Sequence, residues 1–212
     1  MFLKDPKFLG FYDLAMGETG MKALEEKILA EGIVSQGNVL KVSSFLNHQI
    51  DVPFMQQVGQ EFYRLFKDER VDKILTIEAS GIGVACLTAV CFDVPVVFAK
   101  KSKSKNLTND CYTAQIASFT HGTTHEVIVE KRFIQPGERI LVVDDFLAVG
   151  NALAGLIQLI EDAGAEVVGA GIVIEKAWQE GGKRIRDRGI RVESLARIQE
   201  MTPEKGVIFC DD

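Results

Sequence analysis

At 212 residues the chain is long enough for one domain with a sizeable core, and 47% apolar with 25% charged residues is ordinary for a globular protein. The formal net charge of −6 argues against general nucleic-acid binding. Four cysteines at no metal-finger or CxxC spacing read as reduced thiols. Three scattered histidines suggest no metal cage, and no apolar run reaches the length of a membrane span.

The first twenty residues, MFLKDPKFLGFYDLAMGETG, alternate charges with aromatic residues and lack the uninterrupted apolar core of a secretory signal, so a cytoplasmic location is expected. They read as an N-terminal extension over residues 1–20, an appendage or the product of an upstream start. A single domain is expected over 21–212. Residues 21–31 place Leu24, Ile28 and Leu29 at helical spacing, and GIVSQGNVLKVSSFLNHQID follows as an irregular, partly extended segment. Asp51 and Pro53 mark a helix start for VPFMQQVGQEFYRLFKD. KILTIEASG is a short apolar strand ending in polar residues and glycine, GVACLTAVCF a helix, and VPVVFAKK another buried strand. That alternation is what a parallel sheet with covering helices requires. KSKSKNLTND is a basic, polar loop, and CYTAQIASF with HEVIVEKRF reads as a hairpin arm. RILVVDDF is a strand, 150–163 a helix and VVGAGIVIE a strand. The remainder mixes a charged helix with one or two short strands.

The informative stretch is RILVVDDFLAVGNALAGLI, residues 139–157. A buried strand delivers Asp144 and Asp145 to its carboxyl end, and a short loop then opens a helix. Open α/β sheets bind ligands at that place, and an uncapped helix N-terminus suits a phosphate. The small residues Ala148, Gly150 and Ala152 let a ligand approach the backbone. The two acids suit hydroxyl groups or a magnesium-bearing sugar phosphate rather than the phosphate itself. Neither a Walker A loop nor GxGxxG is present. From spacing alone, a strand end with two solvated aspartates remains the competing reading.

The stretch resembles the thirteen-residue signature of the type I phosphoribosyltransferases, with two departures. Val149 stands where a hydroxyl residue is usual, and Gly150-Asn151-Ala152 replaces Gly-Gly-Thr, so backbone amides carry more of the phosphate binding. Ala148 stands where hypoxanthine-type relatives carry an aspartate, which argues against a carboxylate base acting from this loop. LKVSSFLNHQID, IEASGIG, VVFAKKSKS, GIVIEKAWQEG and RVESLARIQ are similar to the bacterial xanthine-type subfamily, and the resemblance extends from Met21 to about Phe209. It implies a parallel sheet flanked by helices, with a flexible hairpin loop and a small hood subdomain from about 21–50 plus the C-terminal segment. It also implies transfer of the 5-phosphoribosyl group from phosphoribosyl diphosphate to N9 of xanthine, giving xanthosine 5'-monophosphate (XMP) and diphosphate in purine salvage. Mg2+ is expected to arrive with the diphosphate substrate, and a homodimer is expected.

Carried over residue by residue, the resemblance gives Ala148, Val149, Gly150, Asn151 and Ala152 to the 5-phosphate, and Asp144 and Asp145 to the ribose hydroxyls and the developing positive ring. Ser80 and Gly81 of EASG, with Lys100 and Lys101, go to the diphosphate; the Ser/Lys run that follows suits a lid against water. Leu40, Asn47 and Lys176 go to xanthine: Leu40 packs on the base, Asn47 donates to the 2-oxo group and Lys176 to the 6-oxo group. Each has a plain alternative: a strand-to-helix turn for EASG, a solvated loop for the lysines, a core leucine, a loop asparagine and a surface lysine. Two functional alternatives stand beside this reading. One is the same chemistry on guanine, hypoxanthine or adenine. The other is a non-catalytic regulator that senses phosphoribosyl diphosphate, disfavoured because twenty residues are too few for a helix-turn-helix domain.

Overall fold

The computed structural model describes residues 21–101, 110–117 and 124–211. The extension 1–20 and the Ser/Lys run at 102–105 lie outside those residues.

The chain begins with α1 (Lys22–Glu31), followed by the short antiparallel pair β1 (Ile33–Ser35) and β2 (Val39–Lys41). A π-helical turn over Ser43–Asn47 leads to α2 (Val52–Phe66). There the Asp51 carboxylate accepts a hydrogen bond from the Phe54 amide at 3.2 Å and Pro53 occupies the first turn, so the expected helix start is the one observed. Next come β3 (Lys73–Ile77), α3 (Gly81–Phe92) and β4 (Val96–Ala99), then a two-stranded arm of β5 (Cys111–Ala117) and β6 (Thr124–Glu130). The chain ends with β7 (Arg139–Leu147), α4 (Asn151–Asp162), β8 (Glu166–Lys176), α5 (Gly181–Arg186), β9 (Val192–Thr202) and β10 (Gly206–Phe209).

The central sheet has the order β10-β9-β8-β7-β3-β4. All its neighbours run parallel except β10, which pairs antiparallel with β9. Successive residues of β7 serve opposite faces. Leu141 and Val143 join one core with α1, α2 and α3, while Ile140 and Val142 join a second core with α4, α5 and the hairpin arm. Burial on both faces explains the continuous apolar run ILVV ahead of the acids. From β3 the chain crosses over to β4; from β7 it winds the opposite way to β8 and then β9. The carboxyl ends of β3 and β7 therefore form the switch point at which open sheets leave a crevice.

Two segments sharpen the sequence reading. In the C-terminal region the expected charged helix is the six residues of α5 and the expected one or two short strands are β9 and β10, of which β9 runs to eleven residues. In β9 buried Val192, Leu195, Ala196, Ile198 and Met201 share the strand with charged residues on its more accessible positions. The segment expected to be irregular and partly extended contains the β1–β2 pair and the π turn.

Room for the core is made by glycine. A methyl group at Gly171 of β8 would lie 2.8 Å from Phe62 Cδ1, so the fully buried Phe62 ring sits directly on the strand backbone. Phe62→Ala is expected to lower the unfolding free energy by about 3–5 kcal/mol in urea titrations. A loss below about 1 kcal/mol would contradict this packing.

Candidate active site

The two acids sit within β7. Asp144 is 4% and Asp145 8% exposed, and the Asp145 amide donates to Asp144 Oδ1 at 3.0 Å. Burial, and then the neighbouring charge of Asp145, push the Asp144 carboxyl well above its ordinary range, while the positive charge of Lys101 pulls the other way.

Three loops meet this pair. On the β3 side, the turn Glu78–Ser80 leads into α3 and contains a cis peptide bond between Glu78 and Ala79. A methyl group on Gly81 would collide with the Thr76 hydroxyl and lie 2.6 Å from Asp144 Oδ1, so Gly81 brings the start of α3 against the acid. Thr76 is fully buried and its hydroxyl has no hydrogen-bond partner among the described residues. On the β7 side, Ala148 and Val149 lead to Gly150 at φ +82°, a conformation that costs glycine little, and α4 begins at Asn151. Neither α3 nor α4 has a side-chain cap at its N-terminus. Two helices thus begin with uncapped amides beside a buried acid pair, an arrangement that suits two anionic groups flanking a polyol.

The third loop follows β4. Lys100 is bonded both ways to Ile128 of the hairpin arm, at 3.0 and 2.9 Å, and the Lys101 amide donates to Glu78 Oε1 at 2.6 Å. The Glu78–Ser80 turn, the lysine pair and the hairpin arm are thereby tied together. Among the described residues no group of three His, Cys, Asp or Glu side chains forms a metal cage.

Of the residues expected to read the base, Lys176 lies farther along the same sheet edge. Lys176 ends β8, one residue past the Leu147–Glu175 pairing of β7 and β8. Its ammonium donates to the Asn38 carbonyl at 3.1 Å and lies 5.9 Å from the Trp178 ring, and burial lowers its pKa. Asn38 precedes β2, which carries Leu40, so Lys176 and the Leu40 strand are brought together. Leu40 itself is buried in the core, and Asn47 ends the π turn with its side chain exposed.

The sequence reading did not single out Thr76, Glu78 or the Gly181–Gly182 pair beneath the Ala148–Gly150 loop. The adjacent glycines a four-residue turn after a buried strand were the available signal; Thr76 gave none, being one more β-branched strand residue.

Comparison with known proteins agrees with this geometry. A model of the phosphoribosyl transferase domain matches residues 49–201, more than half of the chain. The chain belongs to the phosphoribosyl transferase family. It is 54% identical over 193 residues to a xanthine phosphoribosyltransferase of Lachnoclostridium phytofermentans, covering 91% of this chain and 100% of the relative. To the enzyme of that name from Clostridioides difficile it is 56% identical over 182 residues, covering 85% of this chain and 96% of the relative. Among solved structures, an adenine phosphoribosyltransferase of Giardia lamblia aligns with a TM-score of 0.71 at 20% identity, covering 84% of this chain and 98% of that one. One from Thermoanaerobacter pseudethanolicus gives 0.68 at 21%, covering 82% and 99%. These structures establish the type I transferase fold. No helix of the described residues is long and apolar enough to cross a membrane.

Asp144 supplies a test of the site's electrostatics. Its folded pKa lies above the ordinary 3.8, so the folded state binds the proton more tightly than the unfolded state. The wild type therefore loses stability as pH rises through the window from about 3.8 upward to the folded value. Asp144→Asn is neutral throughout and its amide oxygen can still accept from the Asp145 amide. It is expected to melt higher than wild type at pH 7, with the advantage disappearing toward pH 3.8 in a series of thermal scans. An equal or lower melting temperature at pH 7 would show that the acid carries no burial penalty.

Proposed function

We infer that the chain transfers the 5-phosphoribosyl group of phosphoribosyl diphosphate to N9 of xanthine, releasing diphosphate and forming XMP in purine salvage. The observation that carries the reaction class is the buried acid pair set between two uncapped helix starts at the β3–β7 switch point. The choice of xanthine is supported by near-complete coverage of relatives bearing that name.

In this reading the amides from Ala148 to Ala152 hold the 5-phosphate, helped by Asn151 and by the positive end of α4. Asp144 and Asp145 accept hydrogen bonds from the ribose hydroxyls. As the bond from C1 to diphosphate lengthens, positive charge grows on the ring, and fixed carboxylates in a desolvated site favour that charge more than the neutral ground state. The Ser80 and Gly81 amides, with Lys100 and Lys101, receive the departing diphosphate. Xanthine lies between Leu40, Asn47 and Lys176, whose ammonium donates to the 6-oxo group while the Asn47 amide donates to the 2-oxo group. Asn47 is exposed without substrate, so its discrimination acts once the base covers it.

Mg2+ is proposed to enter with the diphosphate. Two neighbouring carboxylates and substrate phosphate oxygens are the hard-oxygen set it prefers, and the described residues offer no dedicated cage. When bound it neutralises charge on the diphosphate. A cytoplasmic location is supported by the four cysteines lying at no CxxC or metal-finger spacing. A homodimer is supported by exposed Val90 and Phe98 on α3 and the edge strand β4.

A purine panel assayed with phosphoribosyl diphosphate and Mg2+ tests the function. Xanthine is expected to give the highest kcat/KM; a preference for guanine, hypoxanthine or adenine would redirect it, and absence of turnover would favour a sensing role. Asp145→Asn is expected to lower kcat/KM by about 100-fold or more with an unchanged circular dichroism spectrum. A folded variant of near-normal activity would remove Asp145 from the mechanism. Asn47→Ala is expected to narrow the xanthine-to-guanine ratio of kcat/KM by about tenfold, and an unchanged ratio would clear Asn47 of discrimination.

A further inference from the structure

The short helix α5 touches the phosphate loop from behind and the base-side strand end at once. A methyl group on Gly181 would run into the Ala148 carbonyl oxygen and come within 2.7 Å of both Gly150 N and Val149 C. The loop and helix backbones are therefore in direct contact, because Gly150 would likewise meet Gly181 Cα at 2.9 Å if it carried a Cβ. One residue on, a methyl group on Gly182 would overlap Glu175 Oε1 and lie 2.5 Å from Arg186 Nη1.

Glu175 is 2% exposed and directly precedes Lys176. Arg186, in the last turn of α5, grips it through two hydrogen bonds of 2.8 Å, and Arg197 Nε stands 3.5 Å from its second oxygen. Burial works to raise the Glu175 carboxyl, yet the Arg186 hydrogen bonds and the two arginine charges hold it below its ordinary value, so the ion pair is intact at neutral pH. Two residues before Arg186, Arg184 Nη2 donates to Asn151 Oδ1 at 3.2 Å, at the first residue of α4.

We propose that α5 is a strut that sets the shape of the 5-phosphate loop, with Gly181, Arg186 and Glu175 as positioning residues. Gly181 fixes how closely the Ala148–Gly150 backbone can sit. The bidentate Glu175–Arg186 pair locks the strut to the strand end that carries Lys176, and so holds the phosphate and base subsites at a constant separation. The need for such support follows from the loop itself: Val149 and Ala152 have no hydroxyl to offer, so phosphate binding depends on the direction of backbone amides. A loop displaced by a fraction of an ångström loses several of them together.

The inference rests on the proposed transferase reaction, so turnover of xanthine by the unsubstituted enzyme is measured first. Its absence would overturn both. With turnover established, Gly181→Ala is expected to raise the KM for phosphoribosyl diphosphate on the order of tenfold or more while the KM for xanthine stays within about twofold. Arg186→Met is expected to act in the same direction, and Arg186→Lys, which keeps the charge but loses the second hydrogen bond, to recover most of the loss. If Gly181→Ala does not fold, the Arg186→Lys enzyme decides the question through a rise in donor KM of about threefold against an unchanged xanthine KM. A folded Gly181→Ala or Arg186→Lys enzyme with wild-type donor KM would overturn the strut while leaving the transferase reading in place. So would variants whose two KM values and kcat worsen in parallel with their melting temperature, the pattern of general loosening.

Discussion

The rest of the structure answers to one constraint: two neighbouring carboxylates are buried at the carboxyl end of a parallel strand. Burying charge this way costs several kcal/mol per ion unless opposite charge or hydrogen bonds compensate. Among the described residues Asp144 is compensated by the Asp145 backbone amide and the Lys101 charge, and it is still pushed toward its neutral form. A site left in that condition gains most when a ligand brings hydroxyl donors and developing positive charge. In the proposed reaction, the pair that is unfavourable in the folded protein alone is also the pair that favours the reacting complex.

The sheet is arranged to make that position available. A parallel strand buried on both faces can deliver side chains only at its ends, and the reversal of winding between β3 and β7 leaves the crevice there open. Glycines then bring backbones into van der Waals range where a side chain would keep them apart. Gly81 presses the start of α3 against Asp144, and Gly150 meets Gly181 back to back. Both helices that start at the crevice lack side-chain caps, so their first amides are left for a ligand.

Much of this was legible in the sequence where local pattern and local chemistry coincide. Strand β7, its acids, the Gly150 turn and α4 are contiguous, and the Asp51–Pro53 start of α2 is a local signal as well. The resemblance to the type I transferases rested on several such stretches, and the family match agrees with it. What escaped depends on partners distant in sequence. Lys176 bonds the carbonyl of Asn38, 138 residues away, a contact no periodicity contains. Strand β9 was expected only as a short strand, because Glu193, Arg197 and Gln199 interrupt its apolar residues and hide its eleven-residue length. Its strand character comes from pairing with β8 and β10. The diglycine of α5 carried a signal of close packing but not the identity of what it packs against.

The most direct measurement is a crystal structure of the protein with XMP bound. The ribose hydroxyls are expected within hydrogen-bonding distance of Asp144 and Asp145, with the phosphate cradled by the amides of residues 148–152. A nucleotide whose phosphate lies away from that loop, or acids turned from the sugar, would contradict the assignment of the site.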